Sequence, residues 1–136
     1  MLAPAIDALP GWRSVTDLTT AIGVVPLVAV GPAGVYVVET LEADDVHSLS
    51  DVPERWLIHA WAQAKHLERR RVGGDVGALL AVTGDAPSGR RRGVQILPSA
   101  LVAGWLAARP TRLSAGETTL LRQRLDDAPR TLVLAA

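Results

Sequence analysis

The chain contains no cysteine, no phenylalanine, one tyrosine and one lysine. Without thiols there is no disulfide framework, no cysteine-ligated zinc and no thiol nucleophile, and the composition fits a reducing compartment such as the cytoplasm. An excess of one charge is also missing. Fourteen lysine plus arginine residues balance 14 aspartate plus glutamate residues, so bulk charge predicts neither nucleic-acid nor membrane binding and any electrostatic argument is local. The most apolar run, residues 22–30, falls short of the ~20 residues a membrane helix needs. The opening Met1-Leu2-Ala3-Pro4 lacks the basic region of a signal peptide, and Asp7 and Pro10 interrupt the apolar stretch after it. The expectation is a cytoplasmic protein without membrane contact.

What is there is a globular composition: 136 residues, 49% hydrophobic and 21% charged, enough for one domain with a real core. No repeat, low-complexity linker or domain boundary interrupts it. Residues 12–18 alternate loosely, as a half-buried strand does, and residues 19–23 break the pattern. Residues 27–30 and 35–38 are apolar runs around Gly31-Pro32-Ala33-Gly34, a strong hairpin signal, and their apolar character on both faces predicts strands covered on both sides.

A helix comes next. Asp51 and Glu54 have capping-box spacing, Leu57, Ala60, Trp61, Ala64 and Leu67 form an apolar stripe, and Gly73-Gly74 ends the element. Residues 78–82 and 94–96 read as further strands, and residues 98–108 as a short helix stopped by Pro110. Ser114 and Glu117 form a capping box that opens a last helix with Leu120, Leu121 and Leu125 inward. Residues 131–134 fit either a final strand or a disordered end. The pattern is α/β: a single mixed sheet flanked by helices.

In the hairpin Val30 is expected to pair with Val35, and counting outward sets Leu27 against Val38 and Pro26 against Glu39. Alternation then brings Pro26, Glu39 and Leu41 out on one side. Glu39 closes a strongly apolar strand, where a carboxylate costs free energy unless it is solvated or paired. Either the strand has surfaced there, or Glu39 is a leftover metal ligand.

The run Val28-Ala29-Val30-Gly31-Pro32-Ala33-Gly34-Val35-Tyr36-Val37-Val38-Glu39-Thr40 resembles the core of the nuclease-related domain (NERD) family, of the PD-(D/E)xK endonuclease-like fold. Gln63-Ala64-Lys65-His66-Leu67 is similar to that family's Ala-x-x-Leu helix, and Ile96-Leu97-Pro98 to its end. About half of the chain carries the likeness. It implies one NERD-like domain over residues 1–136, a restriction-endonuclease-like core, and a leading helix that is shortened or absent.

The family's motif places an aspartate and usually a histidine before three apolar residues and Gly-Pro-x-Gly. After the next strand come an acidic residue, a small residue and a lysine. Here Pro26, Leu27 and Leu41 stand in the aspartate, histidine and lysine positions, and only Glu39 keeps a ligand type. Phosphodiester hydrolysis in such a centre needs a divalent ion held by carboxylates and a cation near the attacking water. No catalytic set is intact, and the expectation is a degenerate domain that binds a protein or a nucleic acid, as a possible homodimer and without a cofactor. The alternative is a divergent magnesium-dependent nuclease using Glu39 with Asp44 or Asp45 and a migrated Lys65.

Two arginine clusters complete the candidates. Arg69, Arg70 and Arg71 end the long helix, and Arg90, Arg91 and Arg92 lie in a strand connection. Brought together they would form a phosphate-binding patch; apart, they are solvated runs. His59 and His66 lie about 10 Å apart along the helix, too far to share one metal, and with Gln63 between them they outline either a polar strip facing a partner or a solvated face. Trp56 lies off the stripe and could anchor an interface. Residues 84–91 superficially resemble a phosphate-binding loop but lack its lysine and the hydroxyl after it.

Overall fold

The computed structural model describes residues 2–135, with side chains described through Leu125. The strands are β1 (Arg13–Thr20), β2 (Gly23–Gly31), β3 (Gly34–Leu41), β4 (Val76–Val82), β5 (Gly89–Arg91) and β6 (Val94–Pro98). They form one mixed sheet in the order β1-β2-β3-β4-β6-β5. β1 and β2, β2 and β3, and β5 and β6 pair antiparallel, whereas β3 and β4, and β4 and β6, pair parallel. The helices are α1 (Leu2–Asp7), α2 (Glu54–Leu67), α3 (Val102–Ala107) and α4 (Ala115–Ala135).

The sheet is the middle of three layers. Leu57, Ala60, Ala64 and Leu67 of α2 and Leu125 of α4 pack on one face against Val28, Val37 and Leu80. Ile6 of α1 and Val102 and Leu106 of α3 pack on the other against Ala29, Val38 and Leu79. Double coverage is why the central strands are apolar on both faces. The leading helix is present but short, six residues.

The hairpin pairs as expected through Val30↔Val35, Ala29↔Tyr36 and Val28↔Val37, and Pro32 and Ala33 span the turn between Gly31 and Gly34. Gly31 has to be glycine. A Cβ there would overlap the indole of Trp12, which lies directly on the backbone.

Beyond Val28 the expected register fails. The β1–β2 ladder skips the pair between Thr16↔Leu27 and Leu18↔Val25, where Asp17 and Pro26 stand. Proline has no N–H to donate, and Asp17 takes φ 53, a left-handed conformation that aspartate tolerates. Both strands therefore switch faces: Val15 and Leu18, and likewise Val28 and Val25, all point to the α2 and α4 side. The β2–β3 ladder stops at Val28↔Val37, so Leu27–Val38 and Pro26–Glu39 do not pair.

Other expectations are corrected. α2 buries Gln63, and Trp61 is 45% exposed instead. Trp56, the expected interface anchor, leans on the core. Asp51 caps a separate 3₁₀ turn (Leu49–Asp51), accepting from the N–H groups of His47 and Ser48 at 2.8 and 2.9 Å. Residues 131–134 fall within the span of α4 and not in a strand. The capping box of α4 forms as read: Ser114 N–H donates to Glu117 at 3.0 Å and Glu117 N–H to Ser114 Oγ at 3.1 Å. Leu125 is inward and Leu121 half-buried, but Leu120 is exposed.

Candidate functional site

Glu39 and Leu41 face α2, as strand alternation requires, and Leu41 is buried in that core. Pro26 does not join them. Past the kink it lines a cavity with Thr40 and Glu42, residues that alternate with Glu39 and Leu41 along the chain. The expected convergence of positions 26, 39 and 41 is thus absent, because both strands kink where Pro26 and Asp17 stand opposite each other.

Glu39 has not surfaced. It is 4% exposed beneath α2, so the reading of a solvated strand end is overturned. The Nδ1 of His59 stands 3.1 Å from its Oε1. The approach is not in line, and Oε1 accepts no aligned hydrogen bond among the described residues. Burial pushes the Glu39 carboxyl above the ordinary carboxylate range, and the imidazole pulls it part of the way back. A roofed carboxylate beside one imidazole can hold or pass a proton.

The residues of the alternative centre lie elsewhere. Lys65 Nζ is 3.0 Å from Glu68 Oε2 and 5.9 Å from the centre of the Trp61 ring. It sits about 9 Å further along α2 than His59, over Val35 and Val76 at the start of β3 and β4. Asp44 and Asp45 are exposed in the connection after β3. Among the described residues, no group of three or more histidine, aspartate or glutamate side chains is placed to share a metal ion.

The two arginine clusters do not form one patch. Arg91 donates to the carbonyls of Leu49 and Val52 at 2.9 and 2.8 Å, and Arg92 Nη2 lies 2.8 Å from Glu54 Oε1. Arg90 makes only a 3.5 Å bond to the Gly93 carbonyl. This cluster thus ties the β5–β6 turn to the start of α2, while Arg69, Arg70 and Arg71 lie beyond the far end of that helix, about 20 Å away at 1.5 Å per residue.

The second cluster occupies a π-helical turn (Glu68–Val72), closed by Gly73 in a left-handed conformation with its N–H on the Glu68 carbonyl at 3.0 Å. The wide turn sets three consecutive arginines around a groove of about 720 Å³, shared with His66 and with Ala21 and Ile22 of the β1–β2 turn. Among the described residues no carboxylate lines it. Among the described residues Arg71 Nε is buried without a partner and Arg69 donates only to the Lys65 carbonyl. Burial, with the positive charge of Arg71, Arg70 and Arg69, holds the His66 imidazole below its ordinary pKa.

Sequence reasoning missed His59 as the partner of Glu39 and Gln63 as a buried side chain. Gln63 is three residues after Ala60 and four before Leu67, on the buried face. Its amide oxygen meets the Thr20 hydroxyl at 3.3 Å, across from β1. The polar strip of His59, Gln63 and His66 therefore does not exist as a solvent-facing feature. No helix among the described residues is long and apolar enough to cross a membrane. Comparison with protein-family models, curated proteins and solved structures finds no match to this chain.

Proposed function

We propose that the chain is a catalytically degenerate, nuclease-like domain of the cytoplasm that holds a nucleic-acid backbone and does not cut it. One observation carries this reading: the π turn presents three adjacent arginines to an open groove that, among the described residues, no carboxylate lines. Uncompensated guanidinium groups in a concave site favour phosphate, which they can grip by two bonds at a time. Successive backbone phosphates suit three arginines spread over one wide turn. Against cutting stands the geometry around Glu39, which is roofed by α2, with Leu41 beside it and the only lysine held by Glu68.

The test has two arms. Fluorescence anisotropy with duplex and single-stranded oligonucleotides is expected to show binding that weakens with salt and is lost when Arg69, Arg70 and Arg71 are changed to glutamine. Incubation of plasmid and single strands with magnesium or manganese is expected to leave them intact. Cleavage abolished by Glu39→Ala would establish the divergent nuclease instead.

A second reading concerns self-association. Ile58 and Trp61, 55% and 45% exposed, lie three residues apart on the outer side of α2 and offer an apolar surface to a second copy. Sedimentation of the wild type and of Trp61→Ala decides it: the expected result is a dimer weakened by the substitution.

A further inference from the structure

At the carboxyl ends of β3, β4 and β6, between α1 and α3, the chain leaves a cavity of about 570 Å³ on the sheet face opposite Glu39. That volume is within the ~300–1,000 Å³ range of small-molecule sites. Ligands of open α/β sheets also sit at this end of the strands. The walls are apolar, from Leu2 of α1, Pro26 and Leu27 of β2 and Ala103 of α3. The Asp17–Pro26 kink helps to open the space, because β2 leaves β3 after Val28.

Thr16 and Thr40, both on exposed positions, add hydroxyls open to water, and two further polar groups set the chemistry. Ser99 Oγ, just past β6, is buried and has no hydrogen-bond partner among the described residues. A buried hydroxyl left in that state is destabilising and calls for a partner. The Thr83 hydroxyl, on the same wall, already accepts the N–H of Ala43 at 3.2 Å and so has a protein partner, which Ser99 lacks among the described residues. Among the described residues Glu42 supplies the one formal charge in the lining, a carboxylate at the solvent edge. A ligand that suits both groups has an apolar body and a donor-rich, positively charged end.

We propose that this cavity binds a small apolar amine. Its hydrocarbon lies between α1 and α3, and its ammonium faces Glu42 and the Ser99 hydroxyl, which a turn about χ1 brings from its buried position into the cavity. This site is independent of the arginine groove.

The proposal is tested on the full chain by ¹H–¹⁵N NMR titration with three probes of equal length, hexylamine, hexanol and hexanoate. Hexylamine is expected to shift the amides of Thr40, Thr83 and Ala103 saturably and to bind at least about tenfold more tightly than hexanoate. Glu42→Gln, at an exposed position, should bring hexylamine to the level of hexanol. Ser99→Ala should weaken both, and filling the space by Ala103→Leu should abolish both while resonances across the sheet stay in place. Arg69, Arg70 and Arg71 variants should bind hexylamine unchanged. Absence of a saturable hexylamine shift, equal affinity for hexylamine and hexanoate, or an amine affinity indifferent to Glu42→Gln would each overturn the proposal.

Discussion

Across the β3–β4 ladder Tyr36 pairs with Gly77, and the tyrosine ring occupies the space that a Cβ on Gly77 would need. The ring is thereby held between Trp12, 6.1 Å away, and Trp105, 5.7 Å away and edge-on. Gly77→Ala forces the ring to move and is expected to cost about 1–3 kcal/mol, the usual penalty of overpacking. The double change Gly77→Ala with Tyr36→Leu should recover part of that loss in a double-mutant cycle followed by urea unfolding. Strict additivity would show that the two side chains do not compete for one space.

The arginine clusters should separate by function. Arg91→Ala leaves the Leu49 and Val52 carbonyls without their donor and is expected to cost about 1.5–3 kcal/mol, as charge-assisted bonds do. It should leave the salt dependence of duplex binding unchanged. Replacing Arg69, Arg70 and Arg71 by glutamine should do the reverse, lowering the slope of log affinity against log salt by about 2–3. Thermal melts and anisotropy titrations on the same samples check both halves.

Glu39 makes stability depend on pH with a definite sign. Its folded-state carboxyl titrates above the unfolded one, because burial outweighs the pull of His59. The contribution is therefore fully present below the ordinary glutamate value of about 4.3 and is lost as pH rises through the folded value. At pH 8 the ionised group is a liability, and Glu39→Gln is expected to stabilise by about 1 kcal/mol. The advantage should fade towards pH 4. A less stable variant at pH 8 would mean that the contact with His59 outweighs desolvation.

His66 should give nucleic-acid binding its own pH profile. In the free protein the imidazole is held below its ordinary pKa of about 6.5 by burial and by the three arginines. A phosphate in the groove cancels that repulsion and raises the bound-state pKa. Affinity should thus rise as pH falls through the bound value and level off below the free one. His66→Gln should flatten the curve between pH 5 and 7.5, measured by anisotropy at fixed ionic strength.

Several of these features were legible in the sequence, and the particular residues explain which. Gly31-Pro32-Ala33-Gly34 dictated the hairpin because a turn and two apolar strands are local facts. Ser114 and Glu117 dictated a cap for the same reason. Trp61 and Gln63 were exchanged because hydropathy ranks tryptophan above glutamine, while the helix rotates to bring the Gln63 amide to Thr20 on a distant strand. The burial of Glu39 is illegible in the sequence for a similar reason: only the path of α2 decides that His59 roofs it. Pro26 was readable as a residue without an N–H. Its effect on β2, however, depended on Asp17 standing opposite it in β1, a pairing set by the fold.

That break in β1 also bears on how the molecule behaves in a crowd. β1 is a margin of the sheet, eight residues long, and a straight margin of that length is a template on which foreign chains can stack. The left-handed Asp17 divides it into two pieces too short to nucleate such stacking, and adds a charge at the division. The distortion that removed Pro26 from the company of Glu39 thus also denies this margin a straight run of eight residues.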